Sequence, residues 1–145
     1  MKVYTIGFTK KSASDFFEVL RNSDAKRLVD VRLNNVSQLA GFAKRDDLEY
    51  FLRELCRINY IHLPELAPTK EMLDAYRNDH RDWGIYEREF IDLMSQRRIE
   101  KMGIKRMISN SCLLCSEDKP DKCHRRLVAE YLNGHWGDVE IVHLG

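Results

Sequence analysis

Hydrophobic positions along the chain alternate between two periods. Val3 to Ile6 is a β-branched and aromatic run that Gly7 ends, and beyond it Phe16, Phe17 and Leu20 fall on one face of a helix. Ser12 and Asp15 are spaced as a capping box at that helix's start. Leu28 to Val31 forms a short strand of the buried type, and a polar loop runs from Asn34 to about Lys44. Leu48, Phe51, Leu52 and Leu55 then return to helical spacing, and Tyr60 to Leu63 makes a third strand stopped by Pro64. Helices follow from Thr69 to about Asn78 and through Tyr86, Phe90, Leu93 and Met94. A strand at Ser111 to Cys115, a helix from Cys123 to Leu132 and a strand at Val139 to Val142 complete the pattern.

Strands separated by helical segments predict parallel pairing through right-handed crossovers, with helices covering both faces. The fold expected is therefore a three-layer α/β/α sandwich with a mostly parallel sheet of about five strands. The chain has no long repeat and no Gly/Pro/Ser linker, so residues 1–145 are expected to form one domain. In such folds ligands bind beyond the carboxyl ends of the strands, where strand order reverses.

Composition narrows the function classes. A chain of 145 residues can bury about 70% of its unfolded surface without a disulfide or metal to hold it together. Basic and acidic residues balance at 24 against 23, with the signs interspersed, so a generic nucleic-acid binder is not indicated, although a local basic pocket is compatible. No apolar stretch approaches the ~18 residues of a membrane span. The opening Met1-Lys2-Val3-Tyr4-Thr5 enters a strand at once, which predicts no signal or transit segment. Four cysteines in a chain of this apolar content predict reduced thiols and a cytoplasmic protein.

Chemically able residues follow the strand ends. The fourth strand ends in Cys115-Ser116-Glu117, and Cys123-His124-Arg125-Arg126 opens the next helix. A helix N-terminus presents unpaired N–H groups and a positive dipole end to an anion. Asp121 is an alternative cap for that helix. His124 precedes the apolar stripe Leu127, Val128 and Tyr131 by three, four and seven residues and so points toward the sheet. Arg126 falls on the opposite side, four residues before Glu130, as a solvent-facing ion pair. Cys123 has the surroundings of a reactive thiolate, and Cys115 is the other candidate, with His124 as base and Glu117 as a proton-transferring or orienting carboxylate.

Cys112, Cys115, Cys123 and His124 also make four potential zinc ligands. On a continuous strand, however, Cys112 and Cys115 project from opposite faces and cannot share a tetrahedral ion. No metal or cofactor is therefore expected. The five residues after Cys115 hold no arginine, which excludes the phosphatase and sulfurtransferase type of loop, and the glycine patterns of nucleotide-binding loops are missing.

Asp30 and Arg32 lie on one strand face at the ligand edge, placed to bind or polarise a substrate or to pair with each other. Thr5 and Thr9 flank Gly7 and can offer hydroxyls and a backbone N–H to an anion, or form a plain turn. Ser37, Gln38 and Phe42 suggest a flap over that edge, Tyr60 and His62 read as structural, and Trp83, Tyr86 and Phe90 read as core.

Taken together, Thr5-Ile6-Gly7, Val29-Asp30-Val31-Arg32 with Ser37, Tyr60 to Leu66, Leu114-Cys115-Ser116-Glu117 and Cys123-His124-Arg125 resemble the uncharacterised proteins catalogued as domain of unknown function 488. One departure is Asn34-Asn35-Val36-Ser37, where many relatives carry a proline. The resemblance implies which residues act together and brings no reaction with it. The expected function is an enzyme acting on an anionic, phosphate-bearing substrate, a nucleotide or nucleic-acid component. Arg32 and Arg125 would hold the anion, Glu117 or His124 would move protons, and Cys115 or Cys123 would serve as nucleophile. The alternatives are an anion-sensing or partner-binding module and a thiol redox or metal module.

Overall fold

The computed structural model describes residues 1–35, 41–117 and 119–145. The elements are β1 (Lys2–Gly7), α1 (Ala13–Asn22), β2 (Arg27–Asp30), α2 (Arg45–Phe51), β3 (Asn59–His62), α3 (Lys70–Asn78), α4 (Trp83–Arg97), α5 (Lys105–Ile108), β4 (Ser111–Cys115), α6 (His124–Trp136) and β5 (Glu140–His143). The five strands form one sheet in the order β3-β2-β4-β1-β5, and every neighbouring pair is parallel. The chain is thus an α/β sandwich with an all-parallel sheet. Among the described residues, no helix is long and apolar enough to cross a membrane.

The alternation of strand side chains divides the interior into two cores. Tyr4, Ile6, Leu28, Cys112 and Leu114 face Phe16, Phe17 and Leu20 of α1 and Leu48 of α2. On the other side of the sheet, Val3, Val29, Leu113 and Cys115 face Tyr86, Phe90 and Met94 of α4 and Leu127 and Val128 of α6. Successive residues of β4 therefore enter different cores, and the Cys115 side chain lies on the face that α4 and α6 cover.

Helix starts follow local chemistry. The Ser12 hydroxyl accepts from the Asp15 N–H at 3.1 Å and the Thr69 hydroxyl from the Met72 N–H at 3.2 Å. Two local expectations differ. After α2 the chain widens into a π-type turn over Leu52–Cys56, which rotates Leu55 out to 49% exposure while Leu48 and Leu52 stay buried. Phe42 packs on Phe16 and Phe17, with ring centroids 5.3 and 5.8 Å apart, so it belongs to the α1 core and not to a flap. Ser37 and Gln38 lie outside the described residues.

The strand order locates the ligand edge. The chain leaves β2 toward β3 on one side of the sheet's middle and leaves β4 toward β5 on the other, so a crevice opens between the ends of β2 and β4.

Candidate functional site

A cleft of about 400 Å³ opens at that crevice. Its floor is Cys115, Cys123 and His124, its near wall is Arg32 to Asn34 after β2, and Ser116 and Glu117 follow from β4. The far wall is aromatic: Trp83 stacks on Tyr86 with centroids 5.1 Å apart at 25°, and Tyr76 closes the group at 5.5 and 5.0 Å from the two rings. Arg77 and Lys122, both exposed, add positive charge at the mouth.

His124 is fixed through both ring nitrogens. Its Nε2 lies 2.7 Å from the Val31 carbonyl, which can only accept, so the proton resides on Nε2. Nδ1 is left facing Cys115 Sγ at 3.3 Å. Phe90 covers the ring from the core side, with centroids 5.5 Å apart.

Cys115 and Cys123 differ in protonation. Burial alone would raise the Cys115 thiol, but the Cys123 S–H, the Arg125 charge and the backbone N–H groups of Ser116 and Glu117 outweigh it and bring the group below its ordinary value. Cys123 is driven well above its ordinary value by burial and by donating to Cys115. Of the two thiols, Cys115 is therefore the readier to lose its proton.

Arg125 and Gly7 hold the loop in place. The Arg125 guanidinium is fully buried; its Nη1 donates to the Glu117 carbonyl and its Nε to Thr5 Oγ1 at 3.4 Å. Thr5 Oγ1 also meets His143 Nδ1 at 2.6 Å. Thr9 donates both its N–H and its hydroxyl to the Ser116 carbonyl, at 3.0 and 2.6 Å. A Cβ on Gly7 would lie 1.5 Å from the Glu117 carbonyl oxygen, so only glycine lets the loop after β4 cross β1. Thr5, Gly7, Thr9 and Arg125 therefore brace this loop and are not among the residues lining the cleft.

Asp30 and Arg32 choose the second of their two readings. Arg32 Nε and Nη2 reach Asp30 Oδ1 and Oδ2 at 2.9 and 2.8 Å, and Nη2 also donates to the Ala43 carbonyl at 2.7 Å. Tyr60 completes the Asp30 shell through its hydroxyl at 2.6 Å, and His62 Nε2 meets the Arg32 carbonyl at 2.8 Å. Arg32 nonetheless lines the cleft, and its buried Nη1 has no hydrogen-bond partner among the described residues.

Other sequence expectations resolve as follows. Arg126 pairs with Glu130 at 3.0 Å. Cys112 is buried in the opposite core, its thiol raised by burial. Asp121 does not cap α6; its carbonyl accepts from the Arg126 guanidinium, and Cys123 occupies the cap position without a side-chain capping bond. Sequence reasoning missed the aromatic wall. Tyr76, Trp83 and Tyr86 have ordinary core spacing, and only the cleft beside them gives them another surface.

The fold and this strand-end cleft define an all-parallel α/β protein with a cysteine–histidine cluster at its topological switch point. The profile of the family described as Domain of unknown function DUF488 matches residues 12–132, which include every residue of the cleft, and the chain belongs to that family. No curated protein and no solved structure matches it.

Proposed function

We propose that the chain is an enzyme acting on an anionic, phosphate-bearing substrate, a nucleotide or nucleic-acid component, bound in the cleft between β2 and β4. The observation that carries this reading is Arg32: a residue of the cleft lining whose buried guanidinium is locked in position by Asp30, with Nη1 lacking a hydrogen-bond partner among the described residues. Leaving such a donor unpaired costs about 1–3 kcal/mol, which an anionic acceptor recovers. Arg77 and Lys122 extend the positive field to the mouth, and Trp83 with Tyr76 offers flat surface for a base.

The reacting end lies at the floor. Since both nitrogens of His124 are engaged, Glu117, among the described residues the one carboxylate lining the cleft, is the group left to move a proton. The test is incubation of the full chain with a panel of 5′-mononucleotides and short oligonucleotides, following products by chromatography and binding by calorimetry. The expected result is turnover of at least one class, lost in Glu117→Gln while binding persists. Binding without turnover in the native chain would favour the sensing-module reading, and neither binding nor turnover would sink both.

A further inference from the structure

The Cys115, Cys123 and His124 donor atoms all lie within 4.8 Å of one another on the floor of the cleft. From this convergence we infer that the three residues bind one zinc ion, with its fourth position open to the substrate. The inference deepens the reading above, on which its catalytic role rests, by naming what the cluster supplies.

Four features support zinc. A tetrahedral ion with bonds of about 2.3 Å to sulfur and about 2.0 Å to nitrogen needs donors roughly 3.5–3.8 Å apart. The Cys115 Sγ to His124 Nδ1 separation of 3.3 Å needs only a few tenths of an ångström of relaxation. The Val31 carbonyl holds the Nε2 proton and leaves the Nδ1 lone pair toward the sulfurs, the carbonyl clamp that metal-binding histidines use. The backbone N–H groups of Ser116 and Glu117 already point at the Cys115 sulfur, as hydrogen-bond donors to a metal-bound sulfur do. Finally, two thiolates neutralise a divalent charge, so the buried site gains no net charge when the ion replaces their two protons.

The strand geometry also excludes a third thiolate. Cys112 faces the opposite core, so the described residues supply two thiolates and one imidazole. Three protein ligands and one open position are the pattern of a catalytic zinc, in contrast to a closed structural one. In the step this arrangement supports, a zinc-bound water gives a proton to the Glu117 carboxylate as its oxygen bonds to the substrate's electrophilic atom. The leaving group departs with its bonding electrons and takes that proton. The reaction is a hydrolysis that consumes one water and needs no oxidant or reductant.

The test is metal analysis of the full chain purified without chelator and dialysed against zinc, with cobalt substitution as a spectroscopic check. The expected result is one zinc per chain and, in the cobalt form, sulfur-to-metal charge-transfer bands of a tetrahedral thiolate site. Cys115→Ser should lose the metal, and Cys112→Ser, on the other face, should keep it. If Cys115→Ser fails to fold, thiol titration of the native chain decides: Cys115 and Cys123 should resist modification with zinc present and react once a chelator removes it. Substoichiometric metal after dialysis, or equal losses in the two variants, would overturn the inference. Nucleotide binding by chelator-treated protein is read separately, so failure of the zinc site and failure of the cleft as a nucleotide site give different results.

Discussion

Asp30 takes both arms of the Arg32 guanidinium within the protein, at 2.9 and 2.8 Å, with Arg32 2% exposed and Asp30 fully buried. The pair fixes the direction of a cation at the end of β2 and leaves Nη1 without a hydrogen-bond partner among the described residues. Removing the acid strands a buried charge. Asp30→Asn should therefore destabilise the fold by about 3–5 kcal/mol, read as a fall in the midpoint of urea unfolding. A change within a few tenths of a kcal/mol would show that the pair is not the anchor described.

Gly7 permits the crossing of β1 and the loop after β4. In Gly7→Ala the added methyl meets the Glu117 carbonyl and Arg125 Nη1, so the loop must move. We expect a loss of about 1–3 kcal/mol from overpacking, together with weakened ligand binding in whatever fraction remains folded. Stability and binding both at the native level would contradict the close approach.

The aromatic wall predicts a separable effect. Trp83 is half-buried at the edge of α4, and its removal opens no deep cavity. Trp83→Ala should weaken mononucleotide binding by about tenfold, the scale of one lost base-stacking contact, and leave inorganic phosphate binding unchanged in calorimetry. Equal losses for both ligands would assign Trp83 a structural role.

His143 gives the fold a pH dependence. Burial and then the Arg125 charge hold its ring below the ordinary value of 6.5, with Arg126 adding to this and Glu130 and Asp121 opposing it. The unfolded chain consequently takes up a proton near that value which folded His143 refuses, so stability falls as pH drops through it and is regained above it. Urea midpoints measured on either side of the ordinary value should show this slope, reduced in His143→Gln. An unchanged slope in the variant would remove His143 from the account.

The sequence carried the fold further than the site. Period-two and helical spacing located all five strands, and alternation along β4 is enough to separate Cys112 from Cys115. The same alternation could not reveal that Cys123 and His124 return to Cys115, because that contact depends on how α6 sits over the sheet. Asp30 and Arg32 were legible as one unit with two readings left open: two residues on one strand face can meet a ligand or each other, and burial decides. Leu55 was misplaced because a π-type turn shifts the register by a fraction of a turn, which apolar spacing does not encode. Thr5, Thr9 and Arg125 carry the right chemistry for an anion, yet His143 and Arg125 engage Thr5, and the carbonyls of Ser116 and Glu117, invisible in a sequence pattern, engage Thr9 and Arg125.

The central claim is that the cleft between β2 and β4 receives an anionic nucleotide against Arg32 and Trp83. Its most direct measurement is a nuclear magnetic resonance titration of the full chain with a 5′-mononucleotide, following the Trp83 indole N–H and the Arg32 side-chain N–H. The account predicts saturable shifts at both, with the Arg32 shift absent when the matching nucleoside without phosphate is added. Unmoved resonances at saturating nucleotide, or shifts confined to the groove beside Phe17 and Phe51, would contradict it.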